Sequence, residues 1–366
     1  MKENVKNRMI LVSVLGILFG LGAWALLRAP DSVSAAERRQ LAQPPALTAH
    51  TLRSGDFGRD TDAYMADQFP LRERFRTVAA GVRLYVFRQR DTNGIYYVDG
   101  AAYQIEFPYN AASVRHAAER IGAIANTLPE TVNAYLAIIP DKNYYAARQN
   151  GYPSLDYKAL FSTVHSALPS LERIDLTGCL SKDDFYRTDT HWRQERLRRV
   201  YEKLAADMGL DAPYGAQGFV EREIDAFYGV LYGRGALPLA PDRLTIMENS
   251  AISCAAAYNL ETGETSPVYM PERIGSIDPY DVYLFGAAAF VEINNPVAQT
   301  DRELVLFRDS FGSSLAPLLI GSYRRITLID TRYFHPALLE QYITFDRQDV
   351  LFLYSTLLLN NSDALR

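Results

Sequence analysis

The sequence predicts an α/β domain with a central, mostly parallel sheet, preceded by one N-terminal transmembrane helix. Three observations carry that prediction. In the C-terminal part, short apolar runs (Leu304–Phe307, Ile326–Ile329, Val350–Tyr354) alternate with helical stretches, the rhythm of parallel strands joined by crossovers. Residues Met9 to Leu27 contain no charged side chain. The whole chain of 366 residues is 48% hydrophobic and 22% charged with a net charge of −5. That balance suits a folded domain and lacks the basic surplus of a nucleic-acid binder.

Lys2, Lys6 and Arg8 precede the apolar run against one acid, Glu3. The nineteen uncharged positions reach roughly 28 Å as a helix, about the hydrocarbon thickness of a bilayer. Trp24 stands near the far end, where an indole suits the interface, and the basic residues ahead favour a cytoplasmic N-terminus. The expected organisation is a cytoplasmic stub (1–8), an anchor (9–27), an extracytoplasmic tether (28–60) broken by Pro30, Pro44 and Pro45, and an α/β domain (61–366). Within the last, about 210–300 reads as a less regular insertion. The alternative is a cleaved signal peptide, for which Val33-Ser34-Ala35 offers a small-residue site. Arg28 and Pro30 separate the apolar run from that site, which favours an uncleaved anchor in the cell membrane, and either way the body is exported. There Cys179 and Cys254 have two readings: a disulfide closing a loop of about 75 residues, worth roughly 4 kcal/mol in the chain-entropy picture, or two buried free thiols.

Leu71 to Phe87 has amphipathic helical spacing. Ile95–Val98 and Ala102–Ile105, split by Asp99-Gly100, predict a hairpin. A helix over 111–127, an apolar strand at Thr131–Ile139 and a helix over 191–208 ended by Gly209 follow. After the strand at Leu304–Phe307 a helix runs to about Ile320, and residues 336–345 predict another.

Two stretches hold reactive side chains. In Phe185-Tyr-Arg-Thr-Asp-Thr-His-Trp192, Asp189 and His191 lie two apart, so an extended backbone would project both to one side. In Leu304-Val-Leu-Phe-Arg-Asp-Ser-Phe-Gly-Ser-Ser-Leu315 an apolar strand runs into Asp309-Ser310, and a helix starts beyond. Ser310 therefore falls at the carboxyl end of a parallel strand, where open α/β sheets put their sites. The Ser310 amide and neighbouring helix-start amides, with Gly312 permitting close approach, would stabilise an oxyanion. A serine needs a base to remove its proton, and the base needs an acid to orient it. Among five histidines, His191 is the best placed. The competing reading makes Asp189, Thr190 and Ser310 ordinary helix caps. A zinc site from Asp189 and His191 with His335 or another carboxylate is a rival chemistry, but no HExxH-like cluster supports it. Neither a metal nor a cofactor is expected.

The ordered blocks along the chain resemble the DHHW protein family and, more remotely, the alginate O-acetyltransferase (AlgJ/AlgX-like) proteins. They are Ala36–Ala42, Asp67–Arg72, Ile139-Pro140-Asp141-Lys142, Thr188-Asp189-Thr190-His191-Trp192, Arg308-Asp309-Ser310-Phe311 and Asp330-Thr331-Arg332-Tyr333. The resemblance implies an SGNH-hydrolase-like three-layer domain in which Ser310 is the nucleophile, His191 the general base and Asp189 its partner. The second position of the Asp-His-His-Trp signature is Thr190 here, so a role specific to the first histidine is lost. It further implies acetyl transfer from a membrane-bound O-acyltransferase partner to an exported polysaccharide. Arg332 and Lys142 are expected to hold an anionic or hydroxylated ligand at the strand ends. An esterase using the same three groups and a non-catalytic glycan-binding protein are the alternatives.

Overall fold

The computed structural model describes residues 2–34 and 36–366. Ala35, the last residue of the small-residue cleavage pattern, lies outside the described residues. The chain forms two compact units, residues 1–93 with 232–238, and residues 94–231 with 239–366.

The first unit begins with α1 (Lys2–Leu27). Its segment Val5–Ala25 is long and apolar enough to cross a membrane, and none of it is buried. It has the length and composition of a membrane anchor or a signal sequence. A small hairpin of β1 (Val33–Ser34) and β2 (Arg39–Gln40) follows, then α2 (Ala49–Ser54), α3 (Asp56–Asp67) and α4 (Arg72–Gly81), which continues as a π-helical turn over Val82–Val86. Residues 28–60 thus carry regular structure. Thr48 caps α2 in a reciprocal box with Thr51, and Gly55, at φ 82°, ends it so that α3 can start at once.

The second unit opens with a hairpin, β3 (Ile95–Val98) and β4 (Ala101–Gln104). Asp99 and Gly100 both adopt positive φ (50° and 73°), as a two-residue type I′ turn requires. The chain continues through α5 (Ala111–Ala125), β5 (Asn133–Ile139), α6 (Lys142–Ala146), α7 (Tyr157–Ala167), β6 (Glu172–Asp175) and α8 (Arg198–Asp207). Next come β7 (Val220–Phe227), α9 (Val230–Gly235, whose residues from Tyr232 on belong to the first unit), β8 (Asp242–Glu248), α10 (Ser250–Cys254), β9 (Ala256–Asn259), β10 (Thr265–Pro267) and β11 (Phe290–Asn294). The last stretch is β12 (Glu303–Arg308), α11 (Phe311–Leu319), β13 (Arg325–Ile329), α12 (Leu339–Tyr342), β14 (Asp349–Ser355) and α13 (Thr356–Asn360).

Eight strands make one sheet in the order β10-β9-β11-β13-β12-β14-β5-β6. From β13 to β6 every pair is parallel; β10, β9 and β11 add an antiparallel edge. The parallel strands β12, β13, β14 and most of β5 are buried on both faces, which is why they read as unbroken apolar runs, whereas the edge strand β6 is largely exposed. Successive residues alternate between two cores. Leu304, Leu306, Leu351 and Leu353 pack with α8 and α11 residues such as Val200, Leu204 and Leu315, while Val305, Phe307, Val350 and Phe352 pack with Val114 and Ile121 of α5 and Leu160 and Val164 of α7. The predicted three-layer α/β architecture is what the chain adopts.

Two expectations shift. Residues 210–300, read as an insertion, supply three strands of the main sheet as well as the β7–β8 hairpin. The helix expected from 191 starts at Arg198, after a 3₁₀ turn at Gln194–Arg196. Residues 184–193 instead fold into a tight loop, closed by a Phe185–Trp192 bridge and by Tyr186 N–H donating to the His191 carbonyl at 3.1 Å. Side-chain carboxylates capture the amides a helix start would have used. Cys179 and Cys254 are free thiols, the first half-buried and the second exposed, so the buried-thiol alternative fits only in being unbridged.

Candidate active site

Ser310 follows β12, an interior strand of the parallel set, whose neighbours on either side are β13 and β14. The chain leaves β12 for α11 and β13 on one side and returns as β14 on the other, which opens a crevice at the carboxyl ends. Asp309 fixes this corner. One carboxylate oxygen accepts from Phe311 N–H at 3.0 Å and the other from Ser355 N–H at 2.9 Å, stitching the end of β12 to the end of β14. Ser310 sits at the N-cap of α11 with helical φ and ψ, and its hydroxyl does not cap the helix. It lies instead 2.7 Å from His191 Nε2.

His191 Nδ1 is 2.7 Å from Asp189 Oδ1. An ionised carboxylate only accepts, so Nδ1 carries the proton, and Nε2 is left to accept the Ser310 hydroxyl. The residue more than a hundred positions upstream therefore meets the serine in hydrogen-bond range. Ser310 is half-buried, while His191 and Asp189 are 8% and 1% exposed. Tyr280 covers the imidazole face, with ring centroids 3.9 Å apart and 11° between planes, and Phe311 tilts against it at 4.9 Å. Burial pushes the Tyr280 phenol well above its ordinary range, so it stays a neutral platform. Its hydroxyl meets Ser314 Oγ at 2.6 Å, and Trp192 Nε1 donates to the same oxygen at 2.9 Å. Ser314, one turn into α11, thus ties both flanks of His191 to the helix that follows Ser310.

The Asp189–His191 loop is held by groups from distant positions. Asp189 Oδ1 also accepts from His191 N–H at 3.0 Å, and Oδ2 from Val230 N–H at 2.9 Å. Asp242 at the head of β8 accepts from Arg187 N–H, Thr188 N–H and the Thr188 hydroxyl at 2.8, 2.7 and 2.6 Å. Gly229 passes so close that a Cβ there would stand 2.3 Å from Asp189 Cβ. Asp242, Gly229 and Tyr280 were not singled out in the sequence, because they lie in the irregular stretch and no local motif marks them.

Lys142 takes a different part from the ligand-holding one expected. It is buried, and its amine donates to the carbonyls of Ala102, Tyr186 and Arg187 at 2.7, 2.6 and 3.2 Å. Its donors are spent on backbone, two of the three acceptors lying just ahead of Asp189. Burial pushes the amine down to about 7, against the pull of the Asp242 and Asp189 carboxylates. Arg332 is also engaged, donating through Nε and a terminal nitrogen to Asp330 at 2.9 and 2.6 Å. Asp330 lies between Arg332 and the wholly buried Arg308, whose guanidinium is 3.5 Å away. Gly312 donates its amide to the Asp309 carbonyl at 3.0 Å, so that N–H is not aimed at a ligand. The glycine is needed for space, since a Cβ would come within 2.6 Å of the Arg308 side chain. His335 caps the turn at Pro336–Leu338, and among the described residues no group of three or more metal-ligating side chains gathers.

The DHHW protein family model matches residues 178–329, a stretch that contains Asp189, His191 and Ser310. A DHHW family protein from Eubacterium siraeum aligns with a TM-score of 0.61 at 19% identity, covering 75% of this chain and 94% of that one. PatB1 from Bacillus cereus aligns at 0.57 and 16% identity, covering 72% and 96%; it has also been solved with a sulfonyl adduct. The O-acetyltransferase domain of Pseudomonas putida AlgJ aligns at 0.43 and 15%, covering 73% and 92%. No curated protein matches the chain. The resemblance to the DHHW family is borne out, and the mainly parallel α/β fold is shared with the DHHW family protein and PatB1.

Proposed function

We propose that this chain is a membrane-anchored, extracytoplasmic O-acyltransferase that moves acetyl groups onto a cell-envelope or exported polysaccharide through Ser310. The observation that carries the reading is the Asp189–His191–Ser310 relay, with both links at 2.7 Å. Ser310 Oγ attacks the donor's acyl carbonyl while His191 Nε2 takes the hydroxyl proton, and Asp189 steadies the resulting imidazolium. The donor's leaving group departs with that proton, leaving acetyl on Ser310. A sugar hydroxyl then attacks as His191 removes its proton; the acetyl ester forms on the sugar and the proton returns to Ser310. The Ser310 amide, at the N-terminus of α11, suits the developing oxyanion. The family resemblance suggests a membrane-bound O-acyltransferase as the acyl source, and α1 would keep the domain beside it.

The purified full chain, given a labelled activated acetyl ester and envelope oligosaccharides, should pass label to glycan, and Ser310→Ala should pass none. Label released only as acetate would replace the transferase with an esterase. A sulfonyl fluoride should modify Ser310, read by peptide mass spectrometry, and unchanged acylation in Ser310→Ala would remove the nucleophile assignment.

A further inference from the structure

The helix over residues 72–86 is inverted relative to an ordinary surface helix. Its buried residue is Ala80, and its inward flank also carries the half-buried Arg72, Arg76, Thr77, Gly81 and Leu84. The apolar residues Phe75, Val78, Val82, Tyr85 and Val86 recur at helical spacing and are all exposed, Val78 at 63% and Tyr85 at 71%. Phe87, at 69%, and Leu71 extend the stripe at its two ends. Exposed Arg74, Arg83 and Arg88 accompany it. A soluble surface does not leave such a row uncovered without a use.

The same unit shows where this helix sits along the exported chain. The Gln68 side chain accepts from Asp31 N–H at 2.9 Å and donates to the Asp31 carbonyl at 2.8 Å. Asp31 follows the end of α1 by four residues, at most about 14 Å of extended chain. Glu37 takes Arg72 and Arg76 at 2.8 and 3.0 Å, and Asp67 takes Arg39 at 2.5 Å. These bonds clamp the start of α4 to the segment that has just left the apolar helix.

We propose that the 72–86 helix lies in the outer leaflet interface of the membrane that α1 crosses, its aromatic and aliphatic stripe among the acyl chains and its arginines on anionic lipid headgroups. An apolar stripe with aromatic residues and flanking arginines is the composition of an interfacial helix, and the clamp to Asp31 supplies the depth. The inference rests on the anchored reading of α1. It makes the membrane a second support for the first unit, beyond the single span.

The full chain carrying Cys179→Ala and Cys254→Ala is reconstituted in phosphatidylcholine vesicles with or without phosphatidylglycerol. Nitroxide labels are then placed at Val78→Cys, Val82→Cys and, as an aqueous control, Glu130→Cys. Flotation of the chain with the vesicles tests α1. Labels at 78 and 82 should collide several-fold more with oxygen, relative to a polar nickel complex, than the label at 130. Arg74→Gln with Arg88→Gln should reduce that shielding most in the vesicles containing phosphatidylglycerol. A chain that floats while its labels at 78 and 82 meet nickel as freely as the control overturns this inference and leaves the anchor. Shielding that comes with spin–spin broadening growing with protein density overturns it in favour of a second copy. A chain that does not float overturns both.

Discussion

Ser310 and the Asp189–His191 pair reach the same point by opposite routes. Ser310 stands where a buried parallel strand turns into a buried helix, and its neighbours in sequence do the positioning: Asp309 locks the corner and Gly312 clears Arg308. His191 stands on a loop with no regular structure of its own. It is held by Asp242, Gly229, Lys142, Tyr280 and Ser314, from five other places in the chain. A hydroxyl carried by the scaffold is robustly placed; an imidazole carried by a loop is only as well aimed as the bonds behind it.

Substitutions ranked by expected effect can break that contrast. Ser310→Ala should lower turnover of a chromogenic acetyl ester by roughly 10⁴-fold or more, with the melting temperature unchanged. Loss of structure in this variant would show that the corner needs its serine. Asp189→Asn should cost on the order of 10³- to 10⁴-fold, because an amide there no longer selects the tautomer with Nε2 free. Equal activity would separate Asp189 from the base. Gly229→Ala should lower both activity and stability, the latter by about 1–3 kcal/mol, since the added carbon must push Asp189 or the Thr188 carbonyl aside. Denaturant titration beside the ester assay reads both, and an effect on stability alone would show that the loop tolerates the shift.

Lys142→Met should have the smallest effect on turnover, roughly tenfold, and cost about 2–3 kcal/mol by leaving buried carbonyls without a donor. Its pH dependence sharpens the point. An unfolded lysine keeps its proton to about pH 10.4, whereas burial brings the folded amine down to about 7. Between those values the unfolded state binds more protons, so wild-type stability rises with pH relative to the variant. Below about pH 7 both states are protonated and the difference is flat. Urea titrations of both proteins from pH 6 to 9 test this, and parallel curves would mean that the amine keeps its charge when folded.

The segments legible in sequence share one property: the pattern that marks them is the pattern that folds them. Leu304–Phe307 and Val350–Tyr354 are apolar throughout because both faces of a parallel strand are covered, and Asp99-Gly100 supplies the two positive φ values its turn demands. The antiparallel edge strands β9 and β10 gave no such signal. Only alternate residues of β9 are buried, and Thr265–Pro267 is three residues long and largely exposed.

At the site, sequence supplied the reactive residue types, the strand end at Ser310 and His191 as the best-placed base; family likeness repeated that assignment position by position. Sequence placed a helix start at His191, where packing made a loop, and it gave Lys142 to a ligand when folding gave it to three carbonyls. The chain by itself determined its apolar N-terminal helix, its layered strand-and-helix order and the presence of a serine, a histidine and an aspartate. Only the tertiary structure decided that a hydroxyl and an imidazole 119 positions apart stand 2.7 Å from each other. The reason is physical: periodicity encodes which face of an element is buried, whereas the meeting of two loops depends on contacts made by residues that no local pattern connects.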